Sequence, residues 1–189
     1  MLEIDFSIFP EIRTKRLLLR RMTKYDAPAI LFLRSSDTVM KYIDRKKART
    51  IEDAEKYLDQ VDKSINNNDG IMWGITFLEK PEKIIGYIGY WRIIKEHYRA
   101  EIGYMLHPDF WRKGIVKEAL EETLHYGFTK IKLHSIEANI NPSNDASAGL
   151  LESAGFIREA YFKEDYYFNG AFHDTIIYSL LEKNLVSAK

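Results

Sequence analysis

The chain has 189 residues, 46% hydrophobic and 30% charged, enough to close one core and too apolar for wholesale disorder. Its 28 lysines and arginines balance 28 aspartates and glutamates, so it lacks the basic excess that sequence-independent nucleic-acid binding needs. It has no cysteine, which excludes a disulfide framework, a thiolate metal site and a cysteine nucleophile together.

The first residues carry acids at Glu3 and Asp5 and no apolar run of the ~7–15 residues a secretory signal requires. No stretch of ~18 apolar residues is present to cross a membrane. No linker rich in Pro, Gly or Ser divides the chain, and no repeat recurs. The expectation is one soluble, cytoplasmic domain over 1–189, with 1–13 as a loose leading segment.

Residues 17–21 read as a strand, an apolar Leu run bounded by charge. Thr23 and Asp26 have the spacing of a capping box and open a short helix toward Leu33. Thr50 can cap a second helix whose Ala54, Leu58, Val61 and Ile65 fall on one face. Four polar residues and Gly70 then mark a turn. Strands follow at 71–78, 84–92 and 100–107, with Trp73 and Trp91 expected in the core. A long helix is expected over 114–130, its buried face carrying Val116, Leu120, Leu124 and Ile131. A strand at 134–140, a helix at 145–153 and strands at 156–168 and 172–180 complete the series. The last two join through Asn169-Gly170, a strong hairpin signal. A meander followed by alternating strands and helices indicates a mixed α/β sheet of about seven strands with flanking helices.

The segment from His107 to Leu120 carries the most chemistry. Pro108 ends a strand, because it has no N–H for the ladder. The chain then enters the long helix through Arg112, Lys113 and Gly114. The N–H groups of Lys113, Gly114, Ile115, Val116 and Lys117 would face outward at the positive end of the helix dipole, a site for phosphate or pyrophosphate. Alternatively, Gly114 only permits a turn before a helix. The glycine-rich dinucleotide and P-loop patterns are both absent.

This segment reads W-R-K-G-I-V-K-E-A. It is preceded by A-E-I-G-Y-M-L-H-P and followed by N-P-S-N-D-A-S-A-G-L-L-E-S-A-G-F. With the opening T-K-R-L-L-L-R-R-M, it resembles the GNAT superfamily of acetyl-CoA-dependent N-acetyltransferases, in the branch of bacterial ribosomal-protein N-terminal acetyltransferases. The resemblance runs from Thr14 to about Lys183. It implies that the strands at 101–106 and 134–140 splay apart and admit the pantetheine arm of acetyl-CoA. It further implies that backbone groups of Met105 and Leu106 bond that arm, with the Leu106 N–H polarising the thioester carbonyl. The helix start would hold the pyrophosphate, Asn144 would contact the coenzyme, and Ser147 would lie near its sulfur. The chain departs from the family pattern in three places. Lys117 stands where the branch usually has Thr or Ser and could add a charge contact to a phosphate. Val116 occupies a position usually filled by a small residue, and Leu151 stands where many members place a thiol-protonating tyrosine.

The implied acceptor is a primary amine, either a protein N-terminus or a small molecule. An alkylammonium with a pKa near ~10.4 needs a proton acceptor at neutral pH, and Glu101 is the candidate. It could instead be a strand carboxylate paired with Arg99 or Arg92. Ser147 could protonate the departing thiolate or could only bond its own helix backbone. Without cysteine, direct attack in a ternary complex is the simplest path. Tyr166 or Tyr167 could line the acceptor groove. The five histidines show no ligand spacing, so no metal is expected. The basic clusters around Arg16 and Arg45 read as solvated faces, and neither nucleic acid nor membrane is expected as a partner. The rival reading, drawn from Val116 and Leu151, is a coenzyme-binding module with little or no catalysis.

Overall fold

The computed structural model describes residues 1–185. Its strands are Ile12–Arg13 (β1), Leu17–Arg21 (β2), Ile71–Phe77 (β3), Gly86–Ile94 (β4), Arg99–Leu106 (β5), Ser135–Ile140 (β6), Ile157–Phe168 (β7) and Ala171–Leu181 (β8). They form one sheet in the order β1-β2-β3-β4-β5-β6-β8-β7. Only the β5–β6 contact is parallel; the other six are antiparallel. The helices are Ala27–Ser35 (α1), Asp37–Met40 (α2), Ile51–Asn66 (α3), Ile115–Tyr126 (α4) and Asp145–Ser153 (α5).

Local chemistry sets several of these boundaries. The Thr50 hydroxyl accepts from the Asp53 N–H and starts α3, which buries Ala54, Leu58, Val61 and Ile65. The β7–β8 turn places Asn169 at φ 48° and Gly170 at φ 87°, the pair of left-handed residues a tight hairpin needs. The long helix expected over 114–130 is divided. Regular α4 ends at Tyr126 and continues as one π-helical turn over Gly127–Ile131. A Cβ at Gly127 would lie 2.1 Å from the Tyr90 hydroxyl, which donates to the Thr123 carbonyl at 2.7 Å. The helix therefore approaches the sheet too closely there for any side chain.

Three expectations need correction. The sheet has an eighth strand, the two-residue β1. The leading segment is not loose: Leu2 and Phe6 are buried, the Phe6 N–H donates to Asn68, and Trp73 donates to the Pro10 carbonyl. Burying two apolar side chains there gives the segment a fixed path. Trp73 is fully buried as expected, but Trp91 is 42% exposed. Tyr90 pairs with Ile102 and Arg92 with Glu101, so Trp91 is the extra residue of a β-bulge. The bulge reverses the in–out alternation and turns the indole out of the core.

The bulge adjoins the point where the sheet opens. β5 and β6 pair only through Arg99–Ser135, Ala100–Ile136 and Glu101–Glu137. Beyond that register the two strands separate, as the family resemblance implied. No helix among the described residues is long and apolar enough to cross a membrane.

Candidate active site

The opening beyond Glu101 exposes one edge of β5, and strand parity decides which backbone groups face it. The His107 N–H donates to the Ile85 carbonyl of the neighbouring strand at 2.8 Å. Alternate residues of an antiparallel strand face the same neighbour, so the backbone of Met105 also faces β4. The backbone of Leu106 faces the opening, and its carbonyl already accepts from the Trp111 indole at 2.7 Å. The Leu106 N–H is thus directed into the gap. Met105, expected to share that role, contributes its side chain instead, with its sulfur 2.9 Å from the Tyr87 hydroxyl.

The approach to α4 is built from backbone. Arg112 and Gly114 adopt left-handed φ values of 58° and 71°, and the first helical bond runs from the Glu118 N–H to the Gly114 carbonyl. The N–H groups of Ile115, Val116 and Lys117 therefore have no acceptor within the helix. A left-handed non-glycine residue such as Arg112 stores strain of ~1–2 kcal/mol, and such strain concentrates at functional turns. The side chains are less committed to a ligand. Lys113 donates back to the Asp109 carbonyl at 2.7 Å, Lys117 lies 3.9 Å from Glu121, and Arg112 is exposed. Val116 is half-buried and packs against the core. Arg16, which sequence reading did not single out for this site, donates to the Lys113 carbonyl at 3.1 Å and pairs with Glu118 at 2.6 Å.

Glu101 is 7% exposed. It accepts from Arg92 at 3.0 Å and from Asn139 at 2.9 Å. Of the two arginines considered as its partner, Arg92 is the one that pairs with it, while Arg99 is paired with Glu137. Burial pushes the Glu101 carboxyl above the usual glutamate range, and nearby Glu137 adds to the shift while Arg92 opposes it. A carboxylate so placed is a better proton acceptor than an exposed one.

Across the opening, Asn144 caps α5: its side-chain oxygen accepts from the Ser147 N–H at 3.2 Å. The Ser147 hydroxyl lies 2.6 Å from the Tyr104 hydroxyl. Burial raises the Tyr104 phenol to about 12, only partly offset by its bond to Ser147, so it stays protonated at neutral pH. Leu151, at the position where a tyrosine was missed, is fully buried. The phenol near this site comes from β5 instead.

One cavity of about 410 Å³ joins these groups, and Glu101, Met105, Asn144 and Ser147 all line it. Leu106 and the residues from Arg112 to Lys117 lie outside its lining. Arg34, Arg45, Tyr57 and the displaced Trp91 also line it. Neither Tyr166 nor Tyr167 is among the lining residues. Tyr166 is instead bonded to Asp44, and Tyr167 is 64% exposed. Among the described residues, no group of three or more histidines or carboxylates is placed to hold a metal.

Residues 16–157 match the Acetyltransferase (GNAT) domain family. The uncharacterized N-acetyltransferase YoaA of Bacillus subtilis (strain 168) is 35% identical over 175 residues, 93% of this chain and 98% of that protein. A GNAT-family acetyltransferase from Bacillus anthracis superposes with a TM-score of 0.81 at 30% identity, over 92% of this chain and 99% of that one. The ribosomal-protein-S5-alanine acetyltransferase of Vibrio fischeri gives 0.81 at 25% identity, over 94% and 99%. The chain belongs to the GNAT family. It is an acetyl-CoA-dependent N-acetyltransferase.

Proposed function

We propose that this enzyme transfers the acetyl group of acetyl-CoA directly to a primary amine, a small molecule or a protein N-terminus, in a ternary complex with Glu101 as proton acceptor. The observation that carries this reading is the opening between β5 and β6, where a buried carboxylate and a hydroxyl pair line one cavity.

The chain's own groups fit the coenzyme. The Leu106 N–H and Asn144 would hold the pantetheine arm. The backbone from Lys113 to Lys117 would take the pyrophosphate, with Arg112 beside it. A Cβ at Gly114 would strain the left-handed turn that shapes the cradle. Bound acetyl-CoA supplies the acetyl group and a thiolate leaving group.

Glu101 accepts a proton from the ammonium, directly or through one water, and frees the nitrogen lone pair. Arg92 and Asn139 hold the carboxylate in place. The Leu106 N–H donates to the thioester oxygen as negative charge develops there; one such donor can be worth ~3 kcal/mol. The nitrogen attacks the thioester carbon and the C–S bond breaks. Ser147 donates a proton to the departing sulfur and is resupplied by Tyr104, which recovers through water the second proton shed by the acylated nitrogen. The absence of cysteine leaves no thiol to carry the acetyl group, which fits direct transfer.

Calorimetric titration with acetyl-CoA, using NAD and ATP as controls, tests the coenzyme half; selective micromolar binding is expected. Release of the free thiol across an amine panel tests transfer. No binding would overturn the assignment of the α4 start, and binding without release on any amine would overturn the catalytic roles.

A further inference from the structure

Four arginines are half-buried: Arg20, Arg21, Arg34 and Arg99. Three of them face carboxylates, namely Asp26, Asp62 and Glu137. Arg34 does not pair with a carboxylate among the described residues. Its guanidinium carbon lies 4.1 Å from the centre of the Tyr57 ring, and one nitrogen donates to the Tyr87 hydroxyl at 3.2 Å. Stacking and that bond fix the plane of the group. A guanidinium cannot shed its charge by deprotonation, and withdrawing it from water without a counter-charge is costly.

Arg34 lines the same cavity as Glu101. Arg45, also in the lining, lies with its guanidinium carbon 5.4 Å from the centre of the Trp91 ring, on the residue displaced by the bulge. The nearby acids are engaged elsewhere. Glu101 is met by Arg92, and Asp44 accepts from Tyr166 and lies 3.8 Å from the His173 ring nitrogen. Arg34 and Arg45 therefore bring two cations to the cavity lining, in which Glu101 is the one carboxylate.

We propose that the acceptor is a small primary amine that also carries an anionic oxygen group, a carboxylate or a phosphate, with the amine beside Glu101 and the anion on the free fork of Arg34, Arg45 standing at the rim. The inference rests on the acceptor site and proton acceptor assigned above. The planar fork of a stacked arginine matches either anion through two parallel bonds. A polyamine would place a second cation against Arg34 and be repelled. A cavity of about 410 Å³ suits a small ligand.

The test uses matched pairs: ω-amino acids of increasing length against their neutral carboxamides, 2-aminoethyl phosphate against ethanolamine, and spermidine and a C-terminally amidated alanyl peptide as cationic and peptidic arms. For the best pair, kcat/KM is expected to favour the anionic amine by about 10-fold or more, the scale of a hydrogen-bonded charge pair. Arg34→Met should collapse that ratio toward one through KM, and Arg34→Lys should restore part of it. Arg45→Gln, at an exposed position, should lower it less. Whether carboxylates or the phosphate win identifies the anion.

A ratio near one would overturn the inference, as would spermidine or the amidated peptide exceeding every anionic amine, or a ratio surviving Arg34→Met. If acetyl-CoA binds but no amine is acetylated, the catalytic reading fails while this one remains decidable. Calorimetry of the same pairs then reports it: anion-selective binding lost in Arg34→Met supports the site, and equal or absent binding overturns it.

Discussion

The two ends of the cleft are made of different material. The proposed coenzyme end is backbone: the N–H groups at the start of α4 and the amide of Leu106, placed by a left-handed glycine and by strand parity. The proposed acceptor end is side chain: Arg34 from α1, Tyr57 from α3, Trp91 from a bulge and Glu101 from β5. Backbone recognition tolerates exchange of the side chains that hang from it and depends on a few conformational residues. Side-chain recognition is rewritten by single substitutions, which is how one fold serves different amines.

Substitutions can break that contrast, beginning with the largest effect. Glu101→Gln is expected to lower kcat by about 10²-fold or more, the scale of general-base catalysis, and to leave acetyl-CoA affinity unchanged. Normal turnover of this variant across pH 6–9 would remove Glu101 from the mechanism. Because burial raises the Glu101 pKa, the base is lost as pH falls through that raised value, so the acidic limb of kcat/KM should lie above the ordinary glutamate range. The linkage to stability has the opposite sense. A folded pKa above the unfolded one favours the protonated form on folding, so this stabilisation is present at low pH and lost as pH rises through the folded value. Glu101→Gln should therefore raise the neutral-pH Tm relative to wild type, with the gain shrinking in acid; a lower Tm at neutral pH would show that the pairing with Arg92 outweighs burial.

Gly114→Val probes the coenzyme end. Forcing a branched residue to φ 71° costs at least the ~1–2 kcal/mol of a left-handed residue, so the acetyl-CoA Kd should rise by about 10-fold with little change in kcat at saturation. A kcat defect with unchanged Kd would place Gly114 outside coenzyme binding. Tyr104→Phe keeps the ring and removes the hydroxyl behind Ser147, and kcat should fall several-fold while Kd holds. Equal rates in the two proteins would leave Ser147 without a proton relay. Val116→Ala is expected to be the mildest. Val116 packs against the core, so the affinity should change less than about 3-fold; a large gain would mean that its methyl groups crowd the phosphate side.

Much of the scaffold was legible. Thr50 with the apolar spacing of α3, Asn169-Gly170 and the Arg112-to-Lys117 entry to α4 each act within a few residues, where local sterics and hydrogen bonding decide the outcome. The family motifs indicated the splayed strands, which the short β5–β6 register shows directly. Features that failed to read depend on alternation or distance. Trp91 sits in a strand whose spacing predicts burial, and one inserted residue reverses its face. Met105 and Leu106 are neighbours whose backbones face opposite ways, which depends on the register with β4. Tyr104 meets Ser147 across 43 residues of sequence, Asn139 meets Glu101 across 38, and Arg16 reaches Lys113 across 97.

By itself the sequence determined most of the elements, their turns and caps and the glycine entry to α4, because those follow from interactions within a turn or two of chain. Only the tertiary structure decided which hydroxyl stands behind Ser147, which arginine answers Glu101 and which is left without a carboxylate. Those pairings arise when the bulge, the splayed strands and the helices bring side chains into one cavity, and at such sequence separations no local spacing encodes them.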